Sequence, residues 1–135
     1  MQFIFSPSIG VLSDIFGRRP ILLIALLLLF IDYVIMGFAS SVALLFFGRL
    51  VAGVAGGTIT TATAYLADIS EPQMKKKNFA IIGAAFGLGF ILGPSIGGIL
   101  GEFNVRAPFF ISAAFALANF VLCYFFLPES LNPVK

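Results

Sequence analysis

Histidine is absent from this 135-residue sequence, and cysteine occurs once. Charge is scarce: 10% of residues are Asp, Glu, Lys or Arg, where a soluble domain carries about 25%. Without imidazole, a histidine-based metal or catalytic site is excluded. The single thiol, Cys123, lies in an apolar run and has no intrachain disulfide partner. It reads as a structural thiol. So few charges cannot hydrate the surface of a globule, and a net charge of +2 is too small to attract nucleic acid. Paired carboxylates within one apolar run and nucleophile motifs are also missing, which leaves a membrane enzyme without support.

Hydrophobic residues make up 60% of the chain, with 17 Phe among them. Lipid is therefore the expected solvent. A spanning helix needs about 20 mostly apolar residues at ~1.5 Å rise each. The stretches 20–39, 42–67, 79–101 and 107–127 meet that requirement, the first broken only by Asp32 and the second only by Arg49. Residues 1–13 are apolar but too short to span, and they lack the basic region and small-residue cleavage site of a signal peptide. They read as the end of a helix that begins earlier, so a truncated N-terminus is expected.

Short connections predict antiparallel hairpins. Arg18 and Arg19 occupy the first connection, Lys75, Lys76 and Lys77 the third, and Lys135 follows the last span, whereas Ser40 and Ser41 in the second are uncharged and the fourth has only Arg106. Basic residues mark the cytoplasmic side. The segment "GVLSDIFGRRP" is thus predicted to be a cytoplasmic turn.

Asp32 and Arg49 are the charges inside the spans, where ionised side chains are costly and mark transport pathways. Each lies about seven residues from the outer end of its helix, or roughly 10 Å deep. Equal depth on consecutive antiparallel helices permits an ion pair or a shared polar cavity. The third full span, "GAAFGLGFILGPSIGGILG", has several small-xxx-small spacings suited to close helix packing. Pro94, beside Gly93, removes a backbone hydrogen bond and is expected to bend it. Thr58, Thr60, Thr61 and Thr63 either line a polar route or bond back to the preceding turn. Asn119 suggests an interhelical hydrogen bond or a place on a cavity wall.

Three of these segments resemble motifs of the major facilitator superfamily. "GVLSDIFGRRP" is similar to its loop between the second and third helices, through Gly10, Leu12, Asp14, Gly17, Arg18 and Arg19. "RLVAGVAGG" resembles the fourth-helix motif, through Arg49 and Gly53, and "GLGFILGPSIGG" the fifth-helix antiporter motif, through Gly89, Gly93, Pro94, Gly97 and Gly98. Together with Asp32-Tyr33 and "LPESL", they place the chain nearest the bacterial tetracycline–proton antiporters and related drug exporters.

The resemblance implies an all-α membrane protein in which residues 1–135 are a partial N-terminal six-helix bundle: the end of helix two, then helices three to six of a twelve-helix fold. It implies proton-coupled efflux of a small drug-like molecule across a bacterial inner membrane, driven by the proton gradient without a cofactor or metal. The implied partners are the lipid bilayer, protons, a small-molecule substrate, and a missing C-terminal half or partner chain. Asp14, Arg18 and Arg19 would form a cytoplasmic gate with the end of the sixth helix, and Asp32 and Arg49 would couple protons. Two positions depart from the pattern: Ile15 stands where a basic residue is common, and Ala52 where a polar one is. A truncated or split fragment without transport activity of its own is the alternative.

Overall fold

A computed structural model describes residues 2–129. These residues form α1 (Gln2–Phe16), α2 (Arg18–Phe38), α3 (Val42–Ala55), α4 (Thr58–Ile69), α5 (Lys75–Phe103) and α6 (Ala107–Phe126). Four helical spans are long and apolar enough to cross a membrane: α2, the α3–α4 pair over Val42–Ile69, α5 and α6. The apolar stretches read from the sequence therefore correspond to helices, with altered ends.

The first connection is far tighter than a loop. Gly17 alone separates α1 from α2, at φ +103°, a left-handed conformation that glycine adopts without steric penalty. Gly10 does not contribute to this turn, because it lies inside α1. Pro20 falls in the first turn of α2, where its missing N–H has no intrahelical role. At the next connection the Ser41 side chain caps α3, accepting a hydrogen bond from the Leu44 N–H at 3.3 Å.

Gly56 and Gly57 divide the second span into α3 and α4. The side chain of Ile9 fills the space beside Gly57, where a built Cβ would lie 2.6 Å from Ile9 Cγ2. Lys75, Lys76 and Lys77 form the first turn of α5 rather than a loop, and α5 extends beyond residues 79–101 at both ends. Pro94 lies within this continuous helix.

α2 is the central helix, packed most extensively on α6 and α3 and also on α4 and α1. The buried apolar set is small: Leu22, Ala25 and Met36 of α2, with Ala55, Tyr65, Ala113 and Ala116 from its neighbours. Small residues dominate it, as expected where helices approach closely in lipid. Phe3, Phe90, Phe103, Phe125 and Phe126 are instead strongly exposed.

α5 buries no residue and contacts chiefly α6 and α4. A Cβ added at Gly83, Gly87, Gly89, Gly93, Gly97, Gly98 or Gly101 would meet nothing within 4 Å. The expected tight packing of this glycine-rich face is therefore not made by the described residues. Its small side chains create an open face instead.

Candidate functional site

Polar contacts gather at the end of the bundle that carries the basic residues, and Arg18 is their centre. Its guanidinium pairs with Asp14 one helical turn earlier, at 2.9 Å, and through Nε with Asp68 near the end of α4. Its backbone N–H donates to Glu129 Oε1 at 3.0 Å. Glu129 thus supplies an acceptor at the start of α2, where backbone donors lack intrahelical partners. The Glu129 carboxylate also occupies the space a Gly17 side chain would need.

Arg19 turns toward α6. Its Nη2 donates to the Tyr124 carbonyl at 2.6 Å, and the guanidinium lies 5.9 Å from the Tyr124 ring centroid. Tyr65 O–H donates to the Pro128 carbonyl at 2.9 Å. Asn78 Nδ2 donates to Ser70 Oγ at 2.7 Å, joining α5 to the end of α4. These bonds tie the α1–α2 turn to the ends of α4 and α6. Asp14 stays accessible, its side chain 58% exposed against 14% for Arg18. Ile15 is also exposed and leaves a gap in the polar surface.

The opposite end is held differently. Phe110 packs edge-on against Phe38 at 5.1 Å, and its ring lies 3.0 Å from a Cβ built on Gly37. The Asn104 side chain accepts from the Arg106 N–H at 2.9 Å. Arg106 Nη2 donates to the Ala39 carbonyl at 3.5 Å. Charge clamps one end of the bundle, and aromatic packing dominates the other.

Between the ends, Asp32 is 2% exposed. It is enclosed where α2 meets α3, and Gly48 makes the enclosure possible: a Cβ there would lie 3.0 Å from Asp32 Oδ1. That oxygen has no hydrogen-bond partner among the described residues. The ion pair permitted by equal depth is not formed, since no ion pair joins Asp32 to Arg49 among the described residues. Gly48 is buried and Arg49 exposed. Gly48, rather than Arg49, is therefore the α3 residue that closes on Asp32.

The threonines do not act as one set. Thr58 Oγ1 donates to the Ala55 carbonyl at 2.5 Å, and Thr63 Oγ1 donates to the carbonyls of Ile59 and Thr60 at 2.9 Å. Thr60 is exposed, whereas Thr61 is fully buried and its hydroxyl has no partner among the described residues. Asn119 makes no interhelical hydrogen bond among them and lines a crevice between α2 and α6.

Reasoning from sequence missed Gly48, Asp68 and Glu129. Asp68 and Glu129 had a usable signal, since both lie near span ends on the side that carries the arginines. Gly48 had none, because its role depends on the rotation of α3 against α2.

Comparison with known proteins extends this geometry. The sequence matches the Major Facilitator Superfamily over residues 1–135. It is 42% identical over 132 residues to the tetracycline resistance protein, class B, of Escherichia coli, covering 98% of this chain and 33% of that protein. It is 38% identical to multidrug resistance protein 2 of Bacillus subtilis, covering 97% of this chain and 33% of that protein. Among solved structures, that of the human organic anion transporter MFSD10 (TETRAN) matches with a TM-score of 0.88 and 33% identity, covering 97% of this chain and 30% of that one. The chain spans about a third of the length of the relatives it matches. With apolar helices able to span a membrane and a family match along its whole length, it belongs to the Major Facilitator Superfamily.

Proposed function

We propose that this chain is part of the first half of a twelve-helix exporter, corresponding to the end of helix two and helices three to six. In this reading, a bacterial inner-membrane transporter exchanges protons for a small drug-like molecule, with a tetracycline-like compound as the best candidate. Support comes from relatives named as tetracycline and multidrug resistance proteins. The observation that carries the reading is Asp32, an acid enclosed at membrane depth with one oxygen unbonded. Such residues are costly in lipid and are typically retained for transport.

Asp32 would take up and release the proton, while Arg49 on the adjoining face would set the local field. Thr61, with its buried unpartnered hydroxyl, is the best placed threonine for the polar route. Arg18 would hold the inner gate by joining Asp14 to Asp68. Proton binding at Asp32 would alter the contact of α2 with α3, and the inner clamp would transmit that change to the ends of α4 and α6. The open glycine face of α5, around Gly93 and Pro94, would then meet the other half of the transporter as the halves rock about a central site.

A chimaera tests this directly. This chain would replace the matching 132-residue segment of the class B protein. The chimaera is expected to export tetracycline from everted vesicles under a proton gradient. Asp32→Asn should reduce export to the empty-vector level with unchanged membrane insertion. Export at the parental rate by Asp32→Asn would remove Asp32 from proton coupling.

A further inference from the structure

The crevice lined by Asn119 lies between α2 and α6, and neither Asp32 nor a residue of the arginine clamp lines it. Leu26, Leu29 and Tyr33 of α2 face Ser112, Phe115 and Asn119 of α6 across a space of about 260 Å³. We propose that it binds an uncharged amphiphile dissolved in the bilayer, held across its middle depth. The proposal is independent of the export reading, because it concerns binding from lipid rather than transport.

Three features determine the ligand chemistry. The first is unmet hydrogen-bonding capacity. Neither Tyr33, Ser112 nor Asn119 forms a side-chain hydrogen bond among the described residues, although each lies within a candidate span. Lipid cannot satisfy a hydroxyl or an amide. A serine in a helix commonly bonds to the carbonyl four residues earlier, as Ser95 does to Ile91 at 3.0 Å. Ser112, which lines the crevice, makes no such bond among the described residues.

The second feature is the arrangement of polar groups. Tyr33 lies five residues before the outer end of α2, and Ser112 five residues after the outer start of α6. Asn119 is seven positions further along α6. At ~1.5 Å per residue, the upper polar pair and the lower amide are separated by roughly 10 Å. Leu26, Leu29 and Phe115 supply the apolar surface of the crevice. The complementary ligand is elongated and flat, with an apolar middle and a hydrogen-bonding group toward each end. The absence of charged groups from the lining selects a neutral molecule.

The third feature is access. Asn119 and Phe115 are exposed, so the crevice opens sideways. Its volume is below the ~300–1,000 Å³ of enclosed small-molecule sites. One edge of the ligand therefore stays in contact with lipid, and entry is lateral.

Photolabelling of the chain in phosphatidylcholine vesicles tests the proposal with 4-(hydroxymethyl)benzophenone, a neutral two-ring alcohol. Adducts are expected on peptides covering residues 26–33 and 112–119, with competition by excess 4-(hydroxymethyl)biphenyl. The Tyr33→Phe/Asn119→Leu variant should lose about ten-fold in labelling, as expected for the loss of two hydrogen bonds of modest net strength. These substitutions make the spans more apolar, and unchanged labelling of α5 would verify insertion. Adducts spread over all exposed apolar faces, without competition, would overturn the proposal. So would crevice labelling by a phosphatidylcholine with an acyl-chain diazirine that the biphenyl alcohol fails to displace, because the occupant would then be ordinary lipid.

Discussion

At Gly17 the backbone has φ +103°, where an L side chain costs about 1–2 kcal/mol. A Cβ there would also lie 2.7 Å from the Glu129 carboxylate, which caps the first turn of α2. Gly17→Ala thus adds backbone strain and displaces an acceptor. It is expected to destabilise the arginine-bearing end by about 2 kcal/mol, combining backbone strain at positive φ with a weakened charged hydrogen bond. Denaturant titration in detergent, read by quenching of tyrosine fluorescence, would measure this loss. Glu129→Ala should also destabilise, and the Gly17→Ala cost should shrink in that background while the backbone strain remains. An unchanged cost would show that the carboxylate and the added methyl do not compete. The same residue scale explains why no ion pair joins Asp32 to Arg49 among the described residues. Counting residues gives depth, but contact between helices also requires rotation, and rotation is set by which small residue faces the partner. Gly48 takes that place on α3, and Arg49 beside it is exposed.

At the scale of elements, the spans were legible because lipid demands long apolar runs, and the sequence supplies them. The boundaries were less legible. The apolar run begins at Phe79, after three lysines, yet α5 begins at Lys75. The division of the second span at Gly56-Gly57 was not read from the sequence, and neither was the insertion of Ile9 beside it, because that contact joins helices distant in sequence. Gly57→Ala places a Cβ 2.6–2.9 Å from the Ile9 side chain. Residues in such contact do not behave additively. Gly57→Ala should destabilise, and Ile9→Ala should recover about 1 kcal/mol of that loss in the double variant, a coupling of ordinary size for touching residues. Additive effects in a detergent unfolding cycle would mean that α1 yields freely and does not brace the α3–α4 junction. The arginine clamp was legible in part, since the motif supplied Arg18, while its pairing with Asp68 and Glu129 depends on how the ends of α4 and α6 come together.

Across the whole molecule, cohesion is uneven. The chain exposes 9075 Å², whereas a compact soluble monomer of its mass would expose about 6,800 Å². Much of the excess fits a membrane solvent, but its distribution also predicts dynamics. α2 is buried at five positions and packs on four other helices, whereas α5 is buried at none and makes limited contacts with α6 and α4. Asn78 anchors its N-terminal end to Ser70, yet among the described residues no neighbouring side chain braces its glycines. Glycine also lowers the cost of local helix opening by up to ~1 kcal/mol per residue relative to alanine. Hydrogen exchange of this chain in lipid nanodiscs should therefore be at least about ten-fold faster for amides of residues 85–98 than for residues 22–36, because local opening follows packing. Comparable protection in both segments would mean that lipid alone holds α5 as firmly as helix packing holds α2. The open glycine face would then be a stable surface before any partner covers it.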